Sequence, residues 1–190
     1  LAGKDAWVRT ILSIAVLEGA CVFGLLAITA THLHNTFGIS LTIAGSTAGL
    51  FGLGGMLYMA TAKYTIRKFG ETGLSRIGAS ALAFSFLVIA FTPWWPLALP
   101  ACFGGGFGFA MVHNTMQANA TQMVPTARGT GVTLFAGFLF LGQSIGVIML
   151  ANLLTHFSSG FVIACAAVVA LGLGIFLAHA IEKHQAHRKI

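Results

Sequence analysis

Charge is scarce in this sequence. Only 7% of its 190 residues are Asp, Glu, Lys or Arg, against roughly a quarter in soluble domains. Four residues are acidic, and Asp5 is the single aspartate. It precedes the first apolar run, so a membrane aspartyl enzyme, which needs two such residues inside its spans, is excluded. Cysteine is sparse too. Cys21, Cys102 and Cys165 are odd in number, far apart and inside apolar runs, which argues against a disulfide framework and makes them small packing residues.

What is abundant is apolar surface, at 57% of residues. A soluble fold of this size has no interior large enough to hide it, so the expected solvent is largely lipid. The fold class predicted is an all-α membrane protein with six transmembrane helices. The spans fall at about 8–33, 41–62, 74–92, 97–123, 130–154 and 159–181, each long enough to cross a hydrocarbon core of about 30 Å. They are too long for barrel strands and lack the alternation of such strands.

Charge then orients the spans. The formal net charge is +6, but the cations form no nucleic-acid stripe. Lys4 and Arg9 precede the first span. Lys63, Arg67, Lys68 and Arg76 follow the second, in "AKYTIRKFGETGLSR". Arg128 follows the fourth, and Lys183, Arg188 and Lys189 follow the sixth. The connections "HLHNTFGISL", "TPWWPLAL" and "THFSSG" carry none. All ten cations therefore lie on one side, which places both termini in the cytoplasm. Trp94 and Trp95 suit an interfacial aromatic belt on the other side.

Glycine is the expected means of helix association, because lipid supplies little hydrophobic push between helices. Gly45 and Gly49 make one small-xxx-small pair, and Gly142 and Gly146 another. The run Gly104–Gly108 lacks the Lys-Ser/Thr of a phosphate loop, so nucleotide binding is not expected.

Six helices with both ends inside, the segment "GLGGMLYMATAKYTIRKFG" and the segment "QMVPTARGTGVTLFAGFLFLGQSIG" together resemble the C-terminal half of a major facilitator superfamily transporter. Gly55, Lys63, Arg67, Lys68 and Gly70 match that family's cytoplasmic signature. The acidic residue of the fuller signature is missing, with Ala60, Thr61 and Ala62 in its place. Pro125, Arg128, Gly129, Gly142 and Gly146 match the link between the family's tenth and eleventh helices. The resemblance covers essentially the whole chain. It implies one bundle of a two-bundle fold, built from two inverted three-helix repeats, with the N-terminal bundle absent from this sequence. The chain opens on Leu1 instead of Met, and a fragment and a natural half-length protein are both open readings.

Ionisable and amide residues inside the spans are the candidate substrate and proton pathway. Glu18 is the one acidic residue well inside a span. His113 and Gln117 are four apart and share a helix face with Asn114 beside them. Glu18 and His113 lie at similar depth, on the cytoplasmic side of the midplane, close enough in level to pair. Gln143 lies near mid-depth in the fifth span. The alternative reading of each is a structural hydrogen bond between helices. By resemblance, Lys63, Arg67, Lys68 and Gly70 form a cytoplasmic gating loop that meets the other bundle. His32, His34, His156, His179, His184 and His187 sit at span ends without acidic or Cys companions, and are expected to be interface residues and not metal ligands. No cofactor is expected.

The function expected is secondary transport of small organic solutes, drug or sugar in type, as proton-coupled efflux by alternating access. Its partners are the lipid bilayer, a small-molecule substrate, protons and the missing bundle, with no nucleic acid. The expected location is a bacterial inner (plasma) membrane. An intramembrane protease would need a Gly-x-Ser-Gly motif and a facing His, and a water channel paired Asn-Pro-Ala loops; neither motif occurs. A non-transporting membrane assembly protein is the remaining alternative.

Overall fold

The computed structural model describes residues 2–125 and 127–188. Among these the secondary structure is helical throughout, with no strand. Helix α1 (Ala2–Glu18) runs through a π turn (Gly19–Phe23) into α2 (Gly24–Phe37). The others are α3 (Leu41–Phe91), α4 (Ala98–Met123), α5 (Arg128–Leu153) and α6 (Ser159–Arg188), with a short 3-10 turn at Trp95–Leu97. Five helical runs are long and apolar enough to cross a membrane. Large side chains confirm which solvent they face: Ile148 is 72% exposed and Phe84 69%, a cost in water that vanishes in lipid. Lys189 lies outside the described residues.

The connection between the second and third spans is shorter than expected. The basic segment 63–73 reads as a loop, yet helix extends into it from both sides, and α3 is two helices that break at Gly70. Its Lys, Arg, Ala and Tyr residues tolerate helix and have no lipid to avoid at this level. The single interruption is Gly70, at φ 62° and ψ 176°, a conformation essentially reserved for glycine. The chain folds back there. Phe51 of the first arm meets Phe86 of the second at 6.3 Å between ring centroids, and α4 packs on both arms: a Cβ at Gly54 would strike Phe103 O, and one at Gly78 would strike Gly108 O.

The glycine pairs divide sharply. A Cβ on Gly142 or Gly146 would collide with the backbone of Val16 or Ala20, and one on Gly106 with Phe51. These are true backbone contacts of α5 with α1 and the π turn, and of α4 with α3. Gly45 and Gly49 have nothing within 4 Å. Their expected packing role is therefore not fulfilled by any described residue of this chain, because the first arm of α3 turns Ala44, Thr47, Phe51 and Gly54 inward instead.

His32 also corrects a sequence expectation. It is buried instead of interfacial, because α2 continues to Phe37 before Gly38 (φ 66°) caps it. Its Nε2 lies 3.1 Å from Ile89 O. A carbonyl only accepts, so Nε2–H donates and Nδ1 accepts from the Ser159 hydroxyl at 2.7 Å. The reason lies four residues past Ile89: Pro93 has no N–H to offer that carbonyl. His32 supplies the missing donor and ties α2, α3 and α6 together. Replacing His32 with Ala should strand the Ile89 carbonyl and open a cavity, costing about 3 kcal/mol. Thermal unfolding in detergent should show a fall of several degrees, and an unchanged midpoint would show that the clasp carries no stability.

A buried carboxylate–imidazole pair as the candidate functional site

Glu18 ends α1 at the point where the helix widens. Its side chain is 1% exposed. The residues that follow, Gly19 and Ala20, press against α5: a Cβ on Gly19 would strike Leu139 O and lie 2.9 Å from Gln143 N. This close approach seats Glu18 deep between helices. The π turn starting at Gly19 adds a residue to the turn, a feature that recurs at functional sites.

The residue facing Glu18 is His113 of α4. Its Nδ1 lies 3.0 Å from Glu18 Oε2, so Nδ1–H donates to the carboxylate. Two rings hold the imidazole in place, Phe109 at 5.0 Å and Phe135 at 5.5 Å between centroids. The other carboxylate oxygen, Oε1, is buried and has no hydrogen-bond partner among the described residues. An orphaned charged oxygen in an apolar interior is expensive. A proton on Oε1 removes that cost. The arrangement can therefore hold one proton more or one fewer without moving a backbone atom.

The remaining candidates are placed differently. Asn114 donates to Ala110 O at 2.8 Å on its own helix and to Met59 Sδ at 3.4 Å, so it joins α4 to α3. Gln117 is exposed, one turn along α4 from His113. Gln143 is half-buried on α5, with its backbone against Gly19. Lys63, Arg67 and Lys68 are exposed, and Gly70 is the break in α3. The structure thus brings Glu18 and His113 together, and among the described residues no hydrogen bond links the amides or the basic segment to them. A cavity of about 470 Å³ lies elsewhere, at the α4–α5 connection, lined by Ala118, Thr121, Gln122, Pro125 and Arg128. None of these belongs to the pair.

Sequence reading overlooked a polar network between the Gly70 fold-back of α3 and the end of α6. Arg76 meets Glu182 at 3.0 Å. Glu71 Oε2 accepts from Asn119 Nδ2 at 3.4 Å and Gln185 Nε2 at 3.3 Å, and Trp7 stacks on His184 at 4.1 Å. The signal was present: Glu71 follows the basic run Arg67–Lys68, and Glu182 stands at the head of the basic tail.

A helical bundle with an apolar exterior and an ionisable pair in its interior, the carboxylate buried and the imidazole partly exposed, is an integral membrane protein. Comparison with protein families agrees: the model of the Major Facilitator Superfamily matches residues 11–190. The chain belongs to the Major Facilitator Superfamily, whose members are membrane transporters and not enzymes. No curated protein and no solved structure matches it.

Proposed function

We propose that the chain is the C-terminal, six-crossing bundle of a secondary transporter that exports small organic solutes in exchange for protons, with Glu18 and His113 as the proton-loading pair. The observation that carries this reading is the buried Glu18 carboxylate, with one oxygen bonded to His113 and the other without a partner. Neutral His113, protonated on Nδ1, can take a proton at Nε2. Passing the Nδ1 proton to Glu18 Oε2 then yields a neutral acid beside a neutral imidazole, and the reverse transfer releases it. Substrate that alters the pair's surroundings alters its proton occupancy, which is the linkage an exchanger needs.

The six-crossing count is supported by the fold-back at Gly70, which divides α3 into two arms that each pack on α4. The cytoplasmic placement of both termini rests on the one-sided distribution of Lys and Arg. A Cys introduced at position 68 should stay unlabelled by an impermeant thiol reagent outside intact cells, and one at Trp94 should be labelled. Labelling at 68 alone would invert the topology. Transport itself is tested with the full-length protein in vesicles bearing an imposed pH difference. Solute movement that follows the direction of the pH gradient is expected; movement indifferent to it removes proton coupling.

A further inference from the structure

We propose that the Lys63–Arg67–Lys68 end of the first α3 arm binds the anionic headgroup of a membrane phospholipid, with the acyl chains lying along the exposed Leu53–Leu57 stripe beside it. The first observation is a charge imbalance. No carboxylate among the described residues lies within ion-pair distance of these three cations. The two acidic residues near this end are engaged elsewhere, Glu71 with the amides of Asn119 and Gln185 and Glu182 with Arg76. Three positive side chains thus face outward with no carboxylate among the described residues paired to them.

The second observation is the order of groups along the arm. Leu53, Leu57, Tyr64 and Lys68 are spaced by four, seven and four residues, which places them on one helical stripe. Each of the apolar members is exposed, Tyr64 at 65%. Toward Gly70 the stripe therefore reads aliphatic, aromatic, cationic. Lys68 Nζ lies 5.7 Å from the Tyr64 ring centroid and 5.2 Å from that of Phe69. The rings hold the ammonium at one level while its charge stays outward. From Tyr64 to Lys68 the helix rises about 6 Å, which matches the roughly 5–7 Å interfacial layer on each side of a hydrocarbon core. Arg67 adds a planar fork suited to phosphate oxygens. A free phosphate would have no use for the aliphatic half of this stripe, whereas a phospholipid uses both halves.

The test uses the purified full-length protein in neutral detergent, with native mass spectrometry reading retained lipid. The probes are phosphatidylglycerol and phosphatidylcholine of identical acyl chains. Wild type should retain phosphatidylglycerol about tenfold better. The double variant R67Q/K68Q should abolish that preference and bring the two lipids to nearly equal retention, since each cation is worth roughly fivefold near an anionic headgroup. R67K/K68R should keep most of it, and K183Q, at an exposed cation elsewhere, should leave it unchanged. Equal retention of the two lipids by wild type overturns the proposal, as does a preference that survives R67Q/K68Q. Displacement of the lipid by glycerol phosphate at equal concentration assigns the site to a soluble anion. Displacement by poly-glutamate at equal concentration assigns it to an acidic protein partner. Either result also overturns the lipid assignment.

Discussion

Glu18→Gln should insert and fold, bind its solute, and lose all movement of that solute driven by a pH difference. The amide has nearly the shape of a protonated carboxyl. Its carbonyl oxygen takes the place of Oε2 and accepts from His113 Nδ1, and its NH2 occupies the position where Oε1 already lacks a partner. The folded state thus gains no new unsatisfied group, and stability should change by less than about 1 kcal/mol. What disappears is the ability to exist in two protonation states. Reconstitution of the full-length protein separates the outcomes. Solute exchange without a gradient should persist, while pH-driven accumulation should fall to the level of empty vesicles. Accumulation equal to wild type would make Glu18 a structural residue, and the pair would then be only a helix-to-helix hydrogen bond.

Gly142→Ala should be among the most damaging single methyls in the bundle. A Cβ there meets the carbonyl oxygen of Val16 and lies 2.7 Å from its Cα, so no side-chain rotation relieves it. The α1 and α5 backbones must separate beside Glu18. Overpacking of this kind costs about 3 kcal/mol, which corresponds to a fall of roughly 6–12 °C in the thermal midpoint for a chain of this size. Gly45→Ala is the matched control. Nothing lies within 4 Å of a Cβ at that position, and alanine is the better helix former, so the midpoint should hold or rise. Equal effects of the two substitutions would refute the assignment of Gly142 as a backbone contact.

These two glycines show what a sequence can and cannot reveal. Both belong to the same small-xxx-small pattern, and pattern alone gives them the same role. Only the direction in which each helix turns its core face separates them, and that depends on all the neighbours at once. Glu18 was legible because a lone carboxylate in a 20-residue apolar run has no inexpensive explanation. Its level relative to His113 could be counted from the span ends. The π turn was not legible, since no residue type encodes it; it arises where Gly19 and Ala20 are drawn against α5. His32 was read as an interface residue because it sits in "THLHNT", close to a turn. Its burial follows from Pro93, which is distant in sequence and leaves a carbonyl needing a donor. The basic stretch was legible as charge but not as helix, because lipid exclusion and helix termination are separate matters: Lys and Arg end a span without ending a helix.

The π turn also marks a border within the protein interior. On one side of it, Trp7, Ile11, Ile14 and Ala15 belong to a cluster with Met116, Phe135 and Leu177. On the other, Cys21, Val22, Leu25 and Ile28 belong to a different cluster with Phe86, Leu150 and Ile163. An uninterrupted α-helix keeps a single phase from end to end. One additional residue in a turn resets that phase, so the two ends of this rod are keyed to separate seats. Glu18 stands at the joint, where a small change of pitch is felt as a change of azimuth, much as the offset in a crankshaft turns motion along one axis into motion about it.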